Sequence, residues 1–186
     1  MSLNLFIKGF GRNIKLLVEK EVKEPVVGIN SNLCKNSNTD RWFEHHFLMI
    51  DYDDMLSLRN LIVEIQRLQV KWNLPNAHIF ESSYHHYIVY FFGVDRDYFE
   101  CLKVIHDTPC CRNYKKLRME TEAMTLRISN KGHKQRPKFV CMVKNPEVDF
   151  FDSETDNEYI MEEQGKIRKF ILGDEPIIWE GKKQWG

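Results

Sequence analysis

Residues 47–143 alternate apolar runs of strand length with amphipathic stretches of helix length, and this order limits the fold more than any other feature of the chain. The run 47–52 is short and apolar, as a buried strand is. Asp53 and Asp54 follow as a helix N-cap, and then comes 55–72, where Leu58, Leu61, Ile62, Ile65 and Leu68 recur at three- and four-residue spacing. Leu74-Pro75-Asn76 ends that helix. A strand at 77–81 and, after Ser82-Ser83, an aromatic and β-branched strand at 84–92 predict a hairpin. Gly93-Val94-Asp95 leads into a second helix at 96–106 with Tyr98, Phe99, Leu102 and Ile105 inward, stopped by Asp107-Thr108-Pro109. Strands at 116–119 and 124–129, a basic loop at 130–138 and a final apolar strand at 139–143 complete the series.

The order is β-α-β-β-α-β, an α+β fold of ferredoxin-like or RNA-recognition-like type, with an antiparallel sheet and both helices on one face. In that topology the first strand lies between the third and the fourth, so its C-terminal end meets the N-terminal ends of both. The expected organisation is an N-terminal extension at 1–40, the core at 41–145 and an acidic C-terminal extension at 146–186. Within the extensions, 3–10 and 14–22 read as short strands around a turn and 158–172 as a helix. Ile177-Ile178-Trp179 is expected to dock back on the core.

Lys plus Arg and Asp plus Glu both total 27, so global charge gives no reason to expect polyanion binding. The distribution differs from the sum. Arg112, Lys115, Lys116, Arg118, Arg127, Lys131, Lys134, Arg136 and Lys138 make the middle basic, and 147–163 is acidic. Five cysteines without a CxxC pair signal neither a disulfide framework nor a zinc knuckle and suit a reducing compartment. No apolar run approaches the length of a membrane span, and a soluble, cytoplasmic protein is expected.

Asp51 and Asp53 close the first strand, and Asp51 interrupts an apolar run where an aspartate is unusual. Alternation puts Phe47, Met49, Asp51 and Asp53 on one face and Leu48, Ile50 and Tyr52 on the other; the helices need the apolar face, which leaves the aspartates on the open side. Alternate carboxylates on a strand are placed to hold a divalent ion, Mg²⁺ or Mn²⁺. The topology brings His85 and His86 alongside them. Parity favours His85, which alternates with Tyr87, Val89 and Phe91, and only one of the pair can join the site. Arg127 alternates with Leu126 and Ile128 and reaches the same open face, as suits a phosphate held between an arginine and a metal.

The segments Leu48-Met49-Ile50-Asp51-Tyr52-Asp53, Ser82-Ser83-Tyr84-His85-His86-Tyr87-Ile88-Val89-Tyr90 and Thr125-Leu126-Arg127-Ile128-Ser129-Asn130-Lys131 resemble those of archaeo-eukaryotic primase and primase-polymerase catalytic domains. The resemblance covers 45–140. It implies a metal-dependent nucleotidyltransferase acting in replication or repair, with Asp51 and Asp53 as the DxD pair and His85 or His86 contacting the incoming nucleotide. The family's third acidic ligand has no aspartate here, and Glu120 or Glu122 is the available substitute. The implied partners are nucleoside triphosphates and single-stranded or primed nucleic acid, with Lys131, Lys134, Arg136 and Lys138 holding phosphates. The competing expectation is a catalytically silent, RNA-recognition-like module that binds nucleic acid or protein through its open sheet.

Overall fold

A computed structural model of the chain describes residues 3–9, 12–18, 28–33, 44–53, 57–120, 124–130, 134–145 and 158–172. The expected docking of Ile177-Ile178-Trp179 and the acidic stretch before residue 158 lie outside the described residues. The fold is α+β, with antiparallel sheets and four helices among those residues. Strands β1 (Leu3–Gly9) and β2 (Arg12–Val18) form an antiparallel pair. Strand β3 (Gly28–Asn30) comes next, then β4 (His46–Tyr52), helix α1 (Leu58–Trp72), β5 (Ala77–Ser83) and β6 (His86–Arg96). Helices α2 (Tyr98–His106) and α3 (Arg112–Glu120) precede β7 (Thr125–Arg127), β8 (Lys138–Val143) and helix α4 (Glu158–Leu172).

Helix α1 starts later than expected. Its N-cap is Ser57, whose hydroxyl accepts from the Asn60 N–H, and Asn73 in the left-handed region closes it. Asp53 is therefore no cap, and Asp54 lies outside the described residues. Leu61, Ile65 and Leu68 are buried, as their spacing requires. In α2 the cap is Asp97, and the inward residues are Tyr98, Cys101, Val104 and Ile105. Phe99, expected inward, is exposed.

The main sheet has the order β4-β6-β5-β8, all antiparallel. The β4-α1-β5 unit keeps the split arrangement with β6 between its strands, but the ferredoxin-like placement of a fourth strand beside the first is not what the described strands make. Strand β7 pairs with β3 instead, and β8 lies at the far edge on β5. The outer edge of β4 is occupied by other groups. The Phe47 N–H donates to the Ser31 carbonyl at 3.1 Å, the Tyr114 hydroxyl to the Met49 carbonyl at 2.6 Å, and the Cys111 N–H to the Asp51 carbonyl at 3.1 Å. These bonds use backbone groups that a neighbouring strand would need.

Two of those groups come from the segment around α3, which corrects the strand expected at 116–119. Its buried residues are Tyr114 and Arg118, four apart, with the guanidinium 5.0 Å from the tyrosine ring centroid. An inward face made of a phenol and a guanidinium carries almost no hydropathy signal, so the helical period is hidden in the sequence.

Both faces of the sheet are covered at β4 and β6, another departure from the expected single helical layer. Tyr52 shares a face with Leu48 and Ile50, and burial raises its phenol beside Glu64 and Arg67 of α1. On the other face Phe47, Tyr90 and Phe92 stack, and Phe80 meets Tyr90 edge-on. Helix α4 reaches β6 through Gln164, which accepts from the Gly93 N–H at 2.7 Å and donates to the Val94 carbonyl at 2.8 Å. The extensions thus build the fold rather than hang from it: Ile29 and Leu33 join the core from one, Ile160 and Ile171 from the other.

Asp107 ties α1 to the end of α2. Its carboxylate accepts from Lys71 Nζ at 2.8 Å, Trp72 Nε1 at 2.9 Å and Arg67 Nη1 at 3.0 Å, which together hold its pKa well below the ordinary carboxylate range. Lys71 and Arg67 are each about half in water, so screening limits what the ion pairs contribute. Asp107→Asn is expected to cost about 1 to 2 kcal/mol near neutral pH in urea denaturation. A lowered folded-state pKa stabilises above the unfolded value and is lost in acid, so the gap between the proteins closes below about pH 4. A gap that stays constant into acid would show that the charge contributes nothing.

Candidate active site

Strand β4 carries Asp51 to the end of the sheet, opposite Ile88 of β6, and the chain passes Tyr52 before presenting Asp53 on the same side. Asp53 Oδ1 lies 3.2 Å from His86 Nδ1. His86, not His85, is the histidine brought to the carboxylates. His85 occupies the preceding turn with φ of 61° and packs against the Tyr84 ring. Parity in fact selects His86: Asp51 lies opposite Ile88, so His86, Ile88 and Tyr90 share its face, whereas Tyr87, Val89 and Phe91 lie opposite Tyr52, Ile50 and Leu48 on the other.

Burial drives the Asp51 carboxyl from the ordinary 3.8 up to about 7, and repulsion from Asp53 adds to the rise. His86, Lys134 and Arg118 act in the opposite direction. Two carboxylates crowded together with a guanidinium and an ammonium within electrostatic reach are poised to exchange a proton for a cation. Burial raises the Cys111 thiol, and neighbouring Asp53 adds to the rise.

The other expected residues divide. Arg127 donates through Nη1 to the Ser129 carbonyl and to the Gln135 carbonyl at 2.9 Å, bracing the basic loop, while its charge reaches Tyr90. Arg136 donates through Nη2 to the Phe170 and Ile171 carbonyls, each at 2.9 Å, and so satisfies the C-terminal end of α4 rather than a phosphate. Lys134 and Lys138 are exposed. Glu120 ends α3, but its side chain is not among those described, and Glu122 and Lys131 lie outside the described residues. Sequence reasoning missed Arg118, Cys111, Tyr114 and Tyr90 as members of this neighbourhood. The first three come on or beside α3, the element misread as a strand.

Among the described residues no three His, Cys, Asp or Glu side chains gather as a ready metal cage. The donor pair nonetheless fits Mg²⁺ or Mn²⁺, since such ions are commonly held by one or two carboxylates and complete their shell with water and phosphate oxygens. No helix among the described residues is long and apolar enough to cross a membrane. Comparison with protein-family models, with curated proteins and with solved structures gives no match.

Proposed function

We propose that this is a divalent-cation-dependent nucleotide site, and that the protein is a nucleotidyltransferase of primase-polymerase type, built on a ferredoxin-like variant whose fourth strand has been displaced. One observation carries the reading: Asp51 and Asp53 share a face with His86, and the charges of Arg118 and Lys134 reach the same carboxylate. Asp51 and Asp53 would hold the ion. Arg118 and Lys134 would take the phosphates, and His86, fixed by Asp53, would orient the nucleotide. When bound, Mg²⁺ or Mn²⁺ supplies Lewis-acid activation of a 3′-hydroxyl and neutralises charge on the departing pyrophosphate.

The silent, sheet-surface module has less support. Such a module stacks bases on exposed aromatics, whereas Phe47, Tyr90 and Phe92 are all buried.

Equilibrium binding of a fluorescent nucleoside triphosphate, with and without Mn²⁺, tests the proposal. The wild type is expected to bind only with the ion, and Asp51→Asn to weaken that binding by about 100-fold or more, since even outer-shell changes at metal sites cost about 10- to 100-fold. Primer extension should disappear with it. Equal binding by the two proteins, or binding indifferent to Mn²⁺, would rule the proposal out.

A further inference from the structure

Tyr90 lies opposite Met49 in the β4–β6 ladder, and Asp51 lies opposite Ile88, so Tyr90 and Asp51 are diagonal neighbours on one face. Diagonal neighbours are within reach of an aromatic side chain. The Tyr90 ring is held by Phe47, Phe80 and Phe92, with centroids 6.4, 5.4 and 5.8 Å away. Its hydroxyl is buried and has no hydrogen-bond partner among the described residues. The charges that act on it are those of Asp51 and Arg127.

A buried hydroxyl without a partner is costly, and this fold satisfies two other buried phenols. Tyr114 donates to the Met49 carbonyl at 2.6 Å and Tyr98 to the Arg118 carbonyl. The buried Tyr52 hydroxyl, on the opposite face, also has no hydrogen-bond partner among the described residues. Tyr90 differs from Tyr114 and Tyr98 in lacking a partner, and from Tyr52 in sharing a face with Asp51.

We infer that Tyr90 is a positioning residue for Asp51: its hydroxyl donates a hydrogen bond to the Asp51 carboxylate when a divalent cation is held there, fixing the carboxylate's orientation toward the ion. The inference rests on the nucleotide-site reading and extends it to a residue in the layer behind the ligands. Such partners hold a ligand in the geometry the ion requires. A phenol suits the task because it donates without adding charge.

The test uses the full chain as wild type, Tyr90→Phe and Asp51→Asn. Mn²⁺ binding is followed through the electron paramagnetic resonance signal of the free ion, and thermal melting is recorded without metal. Tyr90→Phe is expected to melt at or above the wild-type temperature, because it removes an unsatisfied group, and to bind Mn²⁺ about tenfold more weakly. Wild-type Mn²⁺ affinity in Tyr90→Phe, with affinity lost in Asp51→Asn, removes the role of Tyr90 and leaves the site standing. A metal-free melting temperature several degrees lower in Tyr90→Phe means that the hydroxyl already has a partner in the fold, and overturns the inference. Unchanged Mn²⁺ binding in Asp51→Asn removes the site and the inference together.

Discussion

Asp51→Asn is expected to make the protein more stable near pH 8, by about 2 to 4 kcal/mol, while leaving stability near pH 4 almost unchanged. The folded protein keeps the Asp51 proton up to about pH 7, whereas an unfolded aspartate releases it near 3.8. Between those values the folded state binds more protons than the unfolded one, so stability falls as the pH rises through the window. The full cost of ionising the buried group is about 4 kcal/mol, with relaxation and water entry making the observed figure smaller. Asparagine keeps the shape and cannot ionise, so the penalty is absent in the variant. Urea midpoints measured across pH 4 to 8 check this directly. A variant less stable than wild type near pH 8, or a gap with no pH dependence, would show that Asp51 is an ordinary ion-paired carboxylate. Added Mn²⁺ should raise wild-type stability near pH 8 and leave the variant unmoved, because a cation held by ionised Asp51 and Asp53 relieves the same repulsion.

A residue whose charge weakens the fold is unlike the rest of β4, and that contrast singles out the candidate site in the sequence. Asp51 stands in a strand whose other residues are almost all buried, so a carboxylate there breaks the local pattern, and the break is visible without a structure. The helix α1, the hairpin of β5 and β6, helix α2 and helix α4 were legible for the complementary reason: their apolar residues follow the helical or strand period. Leu74-Pro75-Asn76 and Asp107-Thr108-Pro109 mark in the sequence where the helices stop, beside the caps found at Asn73 and Asp107.

The illegible parts share a physical cause as well. Helix α3 turns Tyr114 and Arg118 inward, and polar-tipped side chains on a buried stripe give no hydrophobic rhythm. Strand partners at long sequence separation were equally hidden. The pairing of β7 with β3 depends on an N-terminal segment nearly a hundred residues away, where Ser31 accepts from Phe47 and donates to the Met124 carbonyl through its N–H. The choice between His85 and His86 turns on which alternating set of β6 faces Asp51, and only the pairing of Asp51 with Ile88 and of Tyr52 with Tyr87 shows that it is the set holding His86. The cover on the aromatic face could not be read from β6 at all, since it is supplied by a helix about seventy residues further on.

That cover depends on one side chain to an unusual degree, and Gln164→Ala is expected to destabilise the protein by about 2 to 4 kcal/mol. Gln164 is buried and both ends of its amide are engaged with β6, accepting from Gly93 and donating to Val94. Gly93 has φ of 97°, a conformation that side-chain-bearing residues rarely adopt, and its N–H finds its acceptor in Gln164. Truncation at 164 would leave a buried donor and a buried acceptor unpaired together, which costs more than the loss of either bond between solvated groups. Glutamate at 164 keeps the acceptor for Gly93 but offers the Val94 carbonyl no donor unless it is protonated, so Gln164→Glu should fall between wild type and alanine near neutral pH and approach wild type in acid. Amide hydrogen exchange at Gly93, slow in the wild type and fast in Gln164→Ala, locates the loss. If both variants melt with the wild type, α4 is held to the sheet by its apolar contacts through Ile160 and Ile171 and not by this amide.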